Sequence, residues 1–401
     1  MRISNFQRRI VLALAAALAA PAAVASARAY SETVLYSFKG GSDGELPSSG
    51  LIADRAGTLF GTTYFGGGGA CNKTKGCGTV YSLAPDGAET VLYAFKDYED
   101  GAHPNGNLIE DGQGNLYGTT SGGGNPPCKC GTVFELTPGG IHTVLYYFQG
   151  GSDGETPFAG LVADRAGNLY GTTLDGDAGG CQCGTVYEVT PAGVHSVLHS
   201  FQGGSDGWGP QAPLVFDIAG NLIGTTGNGG DARCNCGTVF SLAPDGSETV
   251  LHAFSGKRDG AGPSGGLIVD GAGDFYGTTG AGGGKGCDEG FGCGTVFRLA
   301  SDGSTEAILS KFNATGGPEG PGGGGVMDGK GNLFGTAAGG AAGCGTVFKI
   351  APGGKAKAIY SFACGNDGGD PQAGLLQGPH GNLYGTTTGA NGPGTIFVVG
   401  K

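Results

Sequence analysis

Asp54-Arg55-Ala56-Gly57-Thr58-Leu59-Phe60-Gly61-Thr62-Thr63, then Gly78-Thr79-Val80-Tyr81, Pro85-Asp86-Gly87 and Val91-Leu92-Tyr93-Ala94-Phe95, make up a phrase that returns seven times. Its Gly-Thr-Thr core begins at Gly61, Gly118, Gly171, Gly224, Gly277, Gly335 (here Gly-Thr-Ala) and Gly385, so the spacings are 57, 53, 53, 53, 58 and 50 residues. One order of elements at one period is the mark of a repeat architecture, and it governs the reading of every single residue.

Each copy holds four short runs rich in β-branched and aromatic residues and bounded by Gly, Pro and Asp, which is the strand pattern. In the first full copy they are residues 51–54, 59–63, 78–83 and 90–95. No helical period appears after the leader. Asp54 to Gly57, Asp111 to Gly114, Asp164 to Gly167 and Asp217 to Gly220 place Asp first and Gly fourth, which suits a type I turn closed by a left-handed Gly. Pro85-Asp86-Gly87 and Pro244-Asp245-Gly246 turn the next hairpin in the same way. Four strands joined by hairpins form a meander. Seven such meanders predict an all-β protein, a seven-bladed β-propeller of four-stranded antiparallel blades.

The two ends support a closed ring. The chain stops after a third strand, Gly394-Thr395-Ile396-Phe397-Val398-Val399, and its first β-pattern, Ser31-Glu32-Thr33-Val34-Leu35-Tyr36-Ser37-Phe38, matches a fourth. Pairing them completes the last blade with the N-terminal strand and leaves no open edge. The domain expected is therefore a single propeller over residues 30–401. Tight turns gather on one face of it. The second-to-third-strand loops and the blade-to-blade connections gather on the other, where a rigid scaffold carries variable loops.

These units, Val-Leu-Tyr-x-Phe, Gly-Asn-Leu-Tyr-Gly-Thr-Thr and Gly-Thr-Val-Phe, resemble the GloVer (Gloeobacter–Verrucomicrobia) tandem repeats of exported bacterial proteins over essentially all of residues 31–401. The resemblance implies propeller-like repeats and export, and it transfers no catalytic residue. Members often carry a C-terminal sorting segment. None is seen here, so no surface anchor is expected.

Residues 1–29 read as a secretory signal peptide: Arg2, Arg8 and Arg9, then an apolar run from Val11 to Ala25, then small residues at a cleavage point. The run is too short for a good membrane span. A secreted or periplasmic monomer without a membrane anchor is expected. Loss of Arg2, Arg8, Arg9 and Arg28 moves the formal charge from -12 to -16, which argues against nucleic acid or an anionic membrane as partner.

Twelve cysteines in an exported chain point to disulfides. They fall two to a blade: Cys71/Cys77, Cys128/Cys130, Cys181/Cys183, Cys234/Cys236, Cys287/Cys293 and Cys344/Cys364. The closing blade has Pro393 instead. The first five pairs lie in the second-to-third-strand loops, where each would cinch its loop just before the third strand. Cys344 and Cys364 stand symmetrically about Gly354, so they face each other across a hairpin. A soft metal ion on the Cys-x-Cys pairs is the alternative, but zinc sites gather four ligands at wider spacing, commonly with His.

Candidate chemistry is sparse. An Asp-Gly recurs between blades, at Asp43, Asp100, Asp153, Asp206, Asp259 and Asp367, with Glu319 taken for the sixth copy. Two readings stand. These carboxylates ring the channel mouth as a binding or Ca2+ site, or they are turn residues bonded to local amides. No other cofactor or metal is indicated. Gly40-Gly41-Ser42-Asp43-Gly44 fits G-x-S-x-G, but it recurs in loops without the strand–turn–helix context of a nucleophile elbow. The histidines are scattered. Trp208, Tyr64, Phe65, Tyr98, Phe158 and Phe291 fall in long-face loops, where rings can stack on sugars. The function expected is a non-catalytic binding module for a glycan or an extracellular protein. The alternative is a polysaccharide hydrolase or lyase, which needs blade-unique acid–base groups at the axis. Asp97 to Asp100, Lys257-Arg258-Asp259 and Asp288-Glu289 are the segments to test for that role.

Overall fold

The computed structural model describes residues 29–401 except 69–70, 72–74, 125–126, 177–179, 285–286, 288–291, 314–318, 341 and 390–391. The expected leader lies outside the described residues apart from Ala29. Seven antiparallel sheets form the ring, with first strands starting at Ile52, Ile109, Val162, Val215, Ile268, Val326 and Leu376 for blades 1 to 7. Blade 1 is Ile52–Ala53, Leu59–Thr63, Thr79–Leu83 and Glu89–Ala94, close to the runs read from sequence. Blade 2 gains a fifth strand, Ala102–Pro104, from its incoming connection. No helix among the described residues is long and apolar enough to cross a membrane.

Blade 7 is the split one. Leu376–Gln377, Leu383–Thr387 and Thr395–Gly400 are joined by Ser31–Ser37 from the other end of the chain. Ser31 pairs with Gly400 and Val34 with Phe397. A register shift interrupts this pairing after Val34, and the same irregularity recurs between third and fourth strands in every blade. Such bulges add local twist, which the outermost strand of a blade needs.

The repeated residues have packing reasons. Gly118 sits opposite Phe134, and a Cβ there would lie 2.7 Å from the ring, so only Gly lets the aromatic lie across the second strand. The second Thr of Gly-Thr-Thr is buried and shares a hydrogen bond with the Thr of Gly-Thr-Val, as Thr120 does with Thr132 at 2.8 Å. In blade 6 Ala337 replaces the first partner, and Thr346 Oγ1 instead donates to the Gly339 carbonyl at 3.0 Å. The polar pair is satisfied in either form, as burial demands.

Between blades, the Phe that ends each fourth strand meets the third-strand aromatic of the next blade edge to face. Phe95–Phe134, Phe148–Tyr187, Phe201–Phe240, Phe254–Phe297, Phe312–Phe348, Phe362–Phe397 and, across the seam, Phe38–Tyr81 all have centroids 5.0–5.3 Å apart. The core is thus seven wedges shared by neighbouring blades. Each aromatic pair contributes about 0.5–1.5 kcal/mol beyond its buried area.

The cysteines pair as expected, six bridges with Cα–Cα distances of 5.0–5.2 Å. The first five pairs lie in the second-to-third-strand loops, and the member next to the third strand is buried as well. Cys77, Cys183 and Cys293 are only 0%, 4% and 1% exposed. Cys183 packs in the wedge of Val186 and Phe201, and Cys293 in that of Val296 and Phe312. A half-cystine is apolar, so it extends the core instead of decorating the loop. These residues are part of the scaffold and present no accessible sulfur to a ligand.

The cysteine that precedes each third strand has a further role. Its carbonyl accepts an amide from the connection to the following blade. Cys77 accepts from His103 at 2.7 Å, Cys130 from Thr156 at 2.9 Å, Cys183 from Gly209 at 2.9 Å and Cys293 from Gly320 at 2.9 Å. Pro393 takes the part in blade 7, accepting from Leu46 at 2.8 Å. The donors Leu46, His103, Thr156 and Asp370 have φ of 58–61° and each precedes a proline. A left-handed, β-branched residue such as Thr156 is strained by itself, so the bond across the blades holds it in place.

Candidate functional site

Each connection leaves an outer fourth strand, passes Asp-Gly and the left-handed residue, turns at the proline and enters the next innermost strand. The residue after that proline points the repeat's variability at the axis. Ser48, Asn105, Phe158, Gln211, Ser264, Gly322 and Gln372 line an axial cavity of about 590 Å³ together with Asn107 and Pro213. The cavity wall carries no carboxylate, imidazole, amine or guanidinium among the described residues.

That wall is tied together from blade to blade. Ser48 Oγ donates to Asn105 Oδ1 at 2.5 Å, and the Gly50 amide donates to Asn107 Oδ1 at 2.7 Å. Thr119 Oγ1 donates to the Ala159 carbonyl at 3.0 Å, Thr336 Oγ1 to that of Ala373 at 2.9 Å, and Thr386 Oγ1 to that of Ser49 across the seam at 3.0 Å. The first Thr of each of these Gly-Thr segments therefore buttresses the rim that the next blade presents. A preorganised polar rim binds with little loss of side-chain freedom.

The inter-blade aspartates lie elsewhere. None of Asp43, Asp100, Asp153, Asp206, Asp259 and Asp367 lines the axial cavity. Asp43 accepts from Tyr36 Oη at 2.6 Å and the Lys39 amide at 2.6 Å; Asp100 from Tyr93 and Lys96; Asp153 from Tyr146 and Gln149; Asp367 from Tyr360 and Ala363. Asp206 accepts from His199 and the Gln202 amide, and Asp259 from the Ser255 amide and hydroxyl. Each carboxylate closes its own blade's outer strand onto the connection, which is the turn role weighed for it above. Glu319 falls in a different register: its carbonyl receives the Gly339 amide, as that of Glu45 receives Phe65, so it corresponds to Glu45 and not to the aspartates.

A third group from the following blade completes each junction that carries one of these aspartates, and sequence reasoning missed it. The first residues of the next fourth strand, Glu89, His142, His195, Glu248, Glu306 and Glu32, stand beside the Tyr/His–Asp pair. His142 stacks on Tyr93 and His195 on Tyr146, each with centroids 4.2 Å apart and planes 8° apart. Burial, then the Asp43 charge, raises the Glu89 carboxyl to about 7. Burial, then Asp259, raises Glu306 to about 7. Burial lowers His142 to about 4. In two junctions Tyr is replaced by His, so His199, Asp206 and Glu248, and likewise His252, Asp259 and Glu306, bring one nitrogen and two carboxylates within 4.8 Å of one another. A nitrogen in the donor set suits a transition metal better than Ca2+, which prefers all-oxygen ligation.

Trp208 occupies the position of Glu45, pairs its backbone with Asn228 in both directions at 3.0 and 3.1 Å, and leaves its side chain 40% exposed. Asn228 belongs to a second, larger cleft of about 1070 Å³ between blades 4 and 5, lined by Arg233, Lys257, Arg258 and Lys311. Tyr98 is 56% exposed with Lys129 Nζ 3.9 Å from its ring centroid, and Asp97 is paired with that lysine. Tyr64 stacks on His103. Phe291, Asp288 and Glu289 lie outside the described residues.

Among solved structures, a putative gluconolactonase is similar at 12% identity and TM-score 0.45, covering 92% of this chain and 91% of that one. A gluconolactonase from Xanthomonas campestris, XC5397, is similar at 16% identity and TM-score 0.43, covering 76% and 85%. No curated protein matches the chain. The model of the Gloeobacter/Verrucomicrobia repeat matches residues 24–182, 127–290 and 285–401. With the seven meanders, the shared wedges and these matches together, the chain belongs to the Gloeobacter/Verrucomicrobia repeat family.

Proposed function

We propose that this propeller is an exported, monomeric, non-catalytic binding module that takes a glycan at the long-loop face, centred on the axial cavity. The observation that carries the reading is the ring of post-proline residues, where the repeats diverge toward one point. Asn105, Gln211 and Gln372 offer amides, Ser48 and Ser264 hydroxyls, and Phe158 an aromatic ring. Side-chain amides donate and accept at once, which matches neighbouring sugar hydroxyls, and a ring offers its face to sugar C–H groups. All these groups stay neutral across physiological pH, whereas glycoside hydrolysis calls for a pair of carboxyl groups. No cofactor enters the reading.

Titration calorimetry against a panel of oligosaccharides, with a reducing-sugar assay on the same mixtures, tests this. Asn105→Ala, Gln211→Ala and Gln372→Ala should each weaken binding about tenfold, the loss expected for one good hydrogen-bonding group. Release of new reducing ends would overturn the reading in favour of an enzyme. Unchanged affinity in all three variants would move the ligand off the axis, and binding to a protein but to no glycan would identify a different partner.

A further inference from the structure

The cleft between blades 4 and 5 is unusual for this chain in its charge. The protein has 22 basic against 34 acidic residues, yet Arg233, Lys257, Arg258 and Lys311 line one recess. Arg233 pairs with Asp231 at 2.5 Å. Among the described residues Lys257, Arg258 and Lys311 have no carboxylate within ion-pair distance. Lys257 acts on the charge of Asp231 and Lys311 on that of Glu306 without pairing to them, and gathering four cations in one recess still costs Coulomb energy.

The loop that carries two of these cations is held firmly. The Gly283 amide donates to the Lys257 carbonyl at 2.9 Å, the Gly280 amide to Gly262 at 3.0 Å, and the Gly256 amide to Gly260 at 3.0 Å. Neutral hydrogen-bonding groups, Asn228, Asn235 and Ser255, share the wall. Trp208 is the residue directly across the bridge from Asn228. Gly280 lines both this cleft and the axial cavity, so the two spaces adjoin.

We propose that the cleft binds the carboxylates of an acidic oligosaccharide, a uronate-containing chain whose neutral portion occupies the axial cavity. The inference rests on the glycan reading above and narrows it to a class. Arg258 presents the planar fork that matches a carboxylate bidentately, while Lys257 and Lys311 act as point charges. Asn228 and Asn235 take ring hydroxyls. The attraction is local: at physiological ionic strength it fades within about 8 Å, and beyond that the acidic remainder of the molecule disfavours an extended polyanion such as nucleic acid.

Calorimetry with an oligogalacturonate and with its carboxyl-reduced counterpart of equal length is the test. The acidic chain should bind about tenfold or more tightly than the reduced one, and added salt should weaken only the former. Lys257→Ala and Arg258→Ala, both exposed, should each cut the affinity for the acidic chain about tenfold and leave the reduced chain unaffected. Arg258→Lys keeps the charge, loses the fork and should fall in between. Equal affinity for the two chains, or no effect of the charge variants, overturns the cleft assignment and leaves the axial reading standing. Failure of both chains to bind defeats both. Competition by inorganic sulfate as effective as that of galacturonate would show a general anion site and overturn the uronate assignment.

Discussion

Phe38 lies edge to face against Tyr81, with ring centroids 5.1 Å apart and planes 68° apart. Both are buried, and they close the seam between the last blade and the first. Beside them the Phe38 amide donates to Gly394 and the Leu46 amide to Pro393. The same contact joins Phe201 to Phe240 inside the ring, so the two sites make a matched pair. Phe38→Ala and Phe201→Ala should each cost about 3–5 kcal/mol in urea unfolding. Only the former should speed proteolysis of residues 31–38, because that strand joins its blade by pairing alone, with no hairpin to hold it. Equal protection of the strand in both variants would mean the seam is no weaker than any other junction.

Asp100 is 7% exposed and accepts from Tyr93 Oη at 2.6 Å and the Lys96 amide at 2.9 Å. Asp100→Ala strands both donors and should destabilise by about 1–3 kcal/mol. Ligand affinity should stay as it was. A large loss of affinity at unchanged stability would instead restore these carboxylates as a recognition ring.

The Cys344–Cys364 bridge spans 20 residues, the longest separation of the six. On the loop-entropy account, replacing both cysteines with Ala should cost about 3 kcal/mol. The Cys344 carbonyl accepts the Asp370 amide, and a backbone acceptor survives the substitution, so the blade junction is retained. Denaturant midpoints with and without reductant measure the effect, and a difference near zero would show that the hairpin is already ordered in the unfolded chain.

Stability should depend on pH through the junctions. Glu89 and Glu306 titrate at about 7 in the fold against an ordinary 4.5, so the folded state holds these protons more tightly and stability falls as pH rises between those values. His142 titrates at about 4 against 6.5, so the fold holds that proton less tightly and stability falls as pH drops from 6.5 toward 4. Thermal midpoints should therefore peak in mildly acidic solution. Glu89→Gln should flatten the alkaline side, and a variant with an unchanged slope there would clear Glu89 of the effect.

Gly118→Ala places a methyl group 2.7 Å from the Phe134 ring. Overpacking of this kind costs about 1–3 kcal/mol. Gly118→Ala combined with Phe134→Leu should recover part of the loss in a double-mutant cycle; strict additivity would locate the strain elsewhere.

Strands, turns and the closing of the ring were legible in the chain because they depend on near neighbours: a two-residue alternation, an Asp-x-x-Gly turn, an unfinished copy at each end. Disulfide partners were legible for the same reason, since each pair shares one blade. The burial of Cys183 and Cys293 was not, because the Phe side chains that cover them, Phe201 and Phe312, lie a full hairpin further along the chain. Glu319 was misplaced because the blade 6 connection, though of the common length, has Gly317 where the other copies have Asp, and hydrogen-bond register, not composition, assigns the equivalent of Glu319. The junction triads were not legible at all. Tyr36 meets Asp43 seven residues on, but Glu89 comes from another blade, and so do the stacked pairs Tyr93–His142 and Tyr146–His195. The local sequence thus determined what each blade is. Radial packing alone decided that the residue after each proline faces the axis, that the aspartates close the outer edges, and that Lys257, Arg258 and Lys311 share a cleft, because those distances run between blades and leave no period to read.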